Sequence, residues 1–209
     1  MAYSSFTKDE LKKKFGVKIK DAMLFDAQVI KPIEPSAWLI ETLTRLQKIG
    51  FATEKERSER LVTPVLAELH QNNEWSFKIY SGQMMNADDT AGLNGECDFL
   101  LSYGDVSSVL ETPIFTITEA KRHDIDLGIV QCSAQLIGAK IFNEKESFDS
   151  PLLFGCSTTG VDWRFIRYEK NIIYWDEITY TLRNLPELLG VLQYIIDETR
   201  FYLDKKNEM

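Results

Sequence analysis

Three charged residues stand where apolar ones are expected. Asp98 interrupts the apolar run CDFLLSY, and Glu119 and Lys121 close the later run PIFTITEAK. In a strand, residues two apart share one face at a spacing of about 6.6 Å, so Glu119 and Lys121 point the same way. If the two runs pair, Asp98 comes beside Glu119, and two carboxylates meet one ammonium at the end of a hydrophobic sheet. Carboxylates in such a place are costly unless a cation sits between them. The chemistry this allows is cation binding by oxygen ligands, with an ammonium beside it to act on water or on an anion.

The tripeptide alone says little. An acid followed two residues later by lysine occurs three times, at Glu10–Lys12, Glu119–Lys121 and Asp204–Lys206. The first and last fall on charged helix ends, where solvation explains them. Only Glu119–Lys121 ends a β-like run with an acid on the run before it. The competing structural reading is an edge-strand ion pair of Lys121 with a neighbouring acid.

The surrounding pattern must place these residues. Positions 1–50 read as helical and connecting material: a helix over 8–15 capped by Thr7, a loop punctuated by Pro32 and Pro35, and a helix over 36–47 stopped by Gly50. A helix is predicted over 54–71, with Pro64 allowing a kink or a helix start near Thr63. Strands are predicted over 75–81, 97–103 and 113–121, a long helix over 126–146, and strands over 152–157, 162–168 and 171–175. A last helix over 185–203 carries the stripe Leu185, Leu188, Leu189, Leu192, Ile195 and Ile196. That stripe is expected to pack on the sheet or on a second copy of the chain, which would make a homodimer. The order gives an α/β fold, a mixed β-sheet flanked by helices, with residues 1–50 as a helical extension on a core domain of residues 51–209.

GECDFLL around Asp98, the strand end TEAK, and the order helix, three strands, helix, strand together resemble the PD-(D/E)XK nuclease superfamily, with its restriction endonuclease-like core. The resemblance spans about half of the chain. It implies a metal-dependent nuclease hydrolysing phosphodiester bonds of nucleic acid, with DNA the expected substrate. Asp98, Glu119 and the main-chain carbonyl of Ala120 would hold Mg²⁺, or Mn²⁺ in its place. Lys121 would position and activate water. A Glu on the helix before the sheet often completes such sites, here Glu59, with Glu68 as the alternative. Relatives of the RecB type carry a Gln early in the next helix, a place Gln131 fits, although the Tyr usual four residues later is Gln135 here. The alternative is a nuclease fold that binds or assembles without cleaving.

Composition sets outer limits. The chain has 209 residues, 24 Lys plus Arg against 32 Asp plus Glu, and a net charge of −8. It therefore lacks the broad basic face of a protein that coats nucleic acid by counterion exchange. Any such role needs a local site or a metal that reverses the field. No run of apolar residues reaches membrane-spanning length, and the opening MAYSSFTKDELKKKF has no signal-peptide core, so no membrane partner is expected. Cys97, Cys132 and Cys156, odd in number and without a CxxC pair, suit reduced thiols in a cytoplasmic setting. Arg122 and His123 follow the site and read equally as phosphate ligands or as a polar loop.

Overall fold

The computed structural model describes residues 2–74, 76–103, 109–121 and 124–207, with side chains through residue 203. Strands β1 (Lys18–Ala22), β2 (Lys78–Met84), β3 (Glu96–Ser102), β4 (Ile114–Ala120), β5 (Leu152–Thr158), β6 (Asp162–Glu169) and β7 (Ile172–Thr181) form one sheet in the order β1-β7-β6-β5-β4-β3-β2. The β4–β5 and β1–β7 pairs are parallel and the rest antiparallel, so the sheet is mixed, with helices on both faces. The fold is α/β, as the element order predicts.

One face is covered by α2 (Ala37–Ile49), α4 (Thr63–Asn72) and α6 (Leu185–Asn207), which enclose a core with Phe99, Phe115, Phe154, Trp163 and Phe165. The stripe of α6 lies in that core, on the sheet, and offers no surface to a second copy. The other face carries α1 (Lys8–Phe15) and α5 (Ile125–Lys145) over Leu100, Ile117, Leu153 and Ile166.

Helix α5 is long and apolar enough to cross a membrane, and its packing accounts for its composition. It links the parallel strands β4 and β5 across the sheet, while the N-terminal turn Tyr3–Ser5 covers its back. A side chain at Gly138 would come within 3.0 Å of the Tyr3 ring. A helix buried on both sides is apolar all round.

The N-terminal part of the chain departs from the sequence reading at one strand. The first 50 residues supply more than helices, because β1 joins the sheet beside β7. Its sequence KIKDA has no apolar alternation, as befits an edge strand kept from aggregating by its charges. Around Pro64 a new α segment, α4, starts at Thr63, as the sequence allows, but the chain stays helical through the junction. A π turn over Ser58–Val62 links α3 (Glu54–Arg57) to α4, and the Thr63 N–H reaches back five residues to the Ser58 carbonyl. The wider turn absorbs the N–H that Pro64 cannot donate.

Candidate functional site

The β3–β4 ladder ends at the pair Phe99–Thr118, and continuing its register sets Asp98 opposite Glu119. Leu100 and Ile117, two residues away on each strand, pack in the core beneath α5, so both acids belong to that face. Where main-chain pairing stops, Asp98 replaces it: its Oδ2 accepts the Ala120 N–H at 2.7 Å. On the other side, the β2–β3 register runs from Ser81–Phe99 to Gln83–Cys97 and skips Gly82 and Asp98. Gly82 has φ of +64°, a conformation that glycine adopts without penalty. The strand next to Asp98 thus presents no side chain against it.

Glu119 is 3% exposed, and both of its oxygens are held. Lys121 Nζ donates to Oε1 at 2.8 Å, and Gln135 Nε2 donates to Oε2 at 2.7 Å. Burial, reinforced by the Asp98 charge, pushes the Glu119 carboxyl up to about 7 against the pull of Lys121 and Gln135. Burial also raises Asp98, opposed by the Ala120 N–H and by Lys121. For Lys121, burial works against the charged form, but Glu119, Glu54 and Asp98 outweigh it and the net shift is upward. These are the shifts of a compact acid–acid–lysine cluster, a pattern common at functional sites.

The amide in this cluster is Gln135 and not Gln131, which is half-buried on α5 and makes no described hydrogen bond to the site. Helix geometry explains the difference. Asp124 caps α5, and Gly128 in its first turn packs on Ser157 and on the stem of Lys121. A Cβ at Gly128 would overlap Ser157 Oγ and lie 2.8 Å from Lys121 Cγ. Seven residues are close to two full turns, so Gln135 faces the sheet as Gly128 does, whereas Gln131 is turned aside by about 60°. Helix side chains lean toward the N-terminus, which brings the amide of Gln135 back onto Glu119.

Beyond Asp98 lies a groove of roughly 470 Å³, lined by Glu54, Lys55, Ser58, Glu59, Thr63, Ser81, Gly82, Glu96, Asp98 and Phe99. Glu59 reaches this groove, but its side chain is 58% exposed and 4.0 Å from Lys55. The acid whose charge bears on both Asp98 and Lys121 is Glu54, one turn earlier. The sequence alternative Glu68 has a structural task. Buried at 2% exposure, it accepts the Ser36 N–H and hydroxyl, both at 2.7 Å, and so fixes the cap of α2.

A hard cation suits oxygen donors such as these. Among the described residues no three His, Cys, Asp or Glu side chains form a ready metal cluster. Mg²⁺ is commonly held by one or two carboxylates while it keeps several waters, and Asp98 and Glu119 would be the carboxylates of such a site. Ala120, whose N–H is bound by Asp98, would add its carbonyl from between Glu119 and Lys121. The cysteines stay out of this chemistry: all three are free and buried. Of the other acid-x-Lys tripeptides, Glu10 closes a capping box with Thr7, and the side chains of Asp204 and Lys206 lie outside the described residues, as do Arg122, His123 and Trp75. Set against known proteins, the chain matches no family model and no curated protein sequence.

Proposed function

We propose that the chain is a metal-dependent nuclease with a restriction endonuclease-like core, hydrolysing phosphodiester bonds of nucleic acid, with DNA the expected substrate. The observation that carries this reading is the convergence of Asp98, Glu119 and Lys121 at the end of β3 and β4. The order α4, β2, β3, β4, α5, β5 and the parallel β4–β5 crossover support it.

In this reading Asp98 and Glu119 would hold Mg²⁺ or Mn²⁺ with the Ala120 carbonyl, and Glu54 would strengthen the field around them. An ion held there would supply polarisation of the phosphate and a lowered pKa for bound water. Gln135 keeps Glu119 in the rotamer that faces Asp98. Lys121 borders the same space, where its ammonium orients the attacking water and offsets charge on the phosphate.

A second reading rests on the acidic groove. Glu54, Glu59 and Glu96 line it with Lys55 as its lining cation, an environment that repels polyanions. It suits a nuclease fold that binds or assembles without cleaving.

Cleavage assays on single- and double-stranded DNA and RNA, with Mg²⁺ or Mn²⁺, separate the two. A nuclease loses cleavage in both Lys121→Ala and Asp98→Ala, by about 10²–10⁴-fold or more. Only Asp98→Ala loses metal binding as well. Absence of cleavage by the intact protein on every substrate supports the silent module.

A further inference from the structure

Both oxygens of Glu119 are already engaged, and the two donors differ in kind. Gln135 is fully buried, on a helix locked between the sheet and the N-terminal turn. Its own carbonyl oxygen, Oε1, is buried with no partner among the described residues. An orphaned acceptor of this sort costs stability, and an apolar side chain of the same volume would avoid it. Lys121 instead follows the end of β4. Its side chain keeps 17% of its exposure, and its stem lies against the bare backbone of Gly128. One grip on Glu119 is enclosed in the core and the other comes from a side chain that still reaches solvent.

We infer that Lys121 is the built-in counter-ion of the Asp98–Glu119 pair, which leaves Glu119 when a divalent cation takes its place, while Gln135 holds the carboxylate still throughout. This rests on the proposed metal site and adds an order of events to it. The ammonium is withheld on Glu119 until the cation arrives, and is then free for the water and phosphate. The argument is electrostatic. Two cations competing for one buried carboxylate repel each other strongly at low effective dielectric. An amide has no charge to be repelled.

Mn²⁺ calorimetry on the intact chain, Lys121→Met and Gln135→Met tests this without reference to activity. Removing the competitor should tighten Mn²⁺ binding by roughly tenfold in Lys121→Met, whereas removing the anchor in Gln135→Met should weaken it by a similar factor. In parallel, labelling of Lys121 by an amine-reactive reagent, read by mass spectrometry, should accelerate severalfold on addition of Ca²⁺. A lysine with a merely structural role would leave the affinity of Lys121→Met unchanged or lower and the labelling rate flat, and that result overturns the inference. Mn²⁺ binding without cleavage leaves the inference standing and removes only the nuclease reading. If neither the intact chain nor Lys121→Met binds Mn²⁺ at millimolar concentration, the metal site and the inference fall together. Circular dichroism of each variant confirms that it is folded, and the labelling arm needs no variant.

Discussion

Gln135 reaches Glu119 across 2.7 Å from the third turn of α5, and Gly128, two turns before it on the same face, lets that helix lie directly on Lys121. The site is therefore as precise as the distance between α5 and β4. A helix glycine costs roughly 1 kcal/mol relative to alanine in propensity, so its presence here reflects close packing.

Gly128→Ala should invert the usual stabilising effect of that exchange. The added methyl would overlap Ser157 Oγ, which donates to the Ile125 carbonyl at 2.8 Å, and would press on the Lys121 stem. Overpacking of this kind costs about 1–3 kcal/mol. Chemical denaturation should show that loss, and any cleavage or Mn²⁺ binding should weaken with it. A variant as stable as the parent would mean that α5 sits further from β4.

The long helix α6 is fixed to the sheet by its apolar stripe, and Leu192 is 3% exposed within it. Leu192→Ala should cost about 2–5 kcal/mol through lost burial and the cavity left behind. Because the stripe is covered within the chain, the loss should be independent of protein concentration. A melting temperature that depends on concentration would place α6 between two copies.

Asp176 carries a pH dependence away from the site. It is fully buried in β7; its Oδ1 accepts the Ile178 and Leu24 N–H groups at 3.1 and 3.3 Å, and Oδ2 has no partner among the described residues. Burial raises its carboxyl, opposed by those N–H groups and by Arg164. The folded state thus favours the protonated form. Its contribution is complete below the ordinary value of 3.8 and is lost as the pH rises through the raised folded value. Asp176→Asn keeps an acceptor for both N–H groups and removes the charge. It should be more stable than the parent at neutral pH by about 1–3 kcal/mol, the gap closing as the pH falls. A constant gap across the range would show that Asp176 does not titrate.

The strands holding Asp98 and Glu119 were legible because their apolar and β-branched runs, CDFLLSY and PIFTITEA, carry no charge except at the acids. The α5 helix was equally plain, yet its inward amide was not. Gln131 and Gln135 are four residues apart on an apolar background, and only the close approach at Gly128 decides which one faces Glu119. Strand β1 gave no signal because an edge strand of lysines and an aspartate need not alternate. The later half of β7, from Asp176 to Thr181, was hidden by its polar residues. The helix acid was harder to read for a reason of geometry: a periodicity of 3.6 residues per turn presumes a regular helix, and the π turn over Ser58–Val62 resets the faces on either side of it, so that Glu54 joins Glu59 at the groove.

That reset leads to the last prediction, which concerns Glu54 and Glu59. Both line the groove beside Asp98, but they are not electrically equivalent. Glu54 begins α3 directly after the cap Thr53, and its charge raises both Asp98 and Lys121. Glu59 lies in the π turn, more than half exposed, with Lys55 at 4.0 Å to offset its charge. Both are exposed residues, so the field of each is screened by solvent and salt. Because the charge of Glu54 bears on Asp98 and Lys121, Glu54→Gln should weaken Mn²⁺ binding severalfold at low salt, and the loss should shrink at high salt. Glu59→Gln should change the affinity by less than about twofold at low salt and by nothing measurable at high salt. Calorimetry of the two variants at both ionic strengths decides it. Equal effects would mean that the groove acts as a diffuse acidic field, and a larger effect at Glu59 would return the helix acid to the position the sequence pattern first suggests.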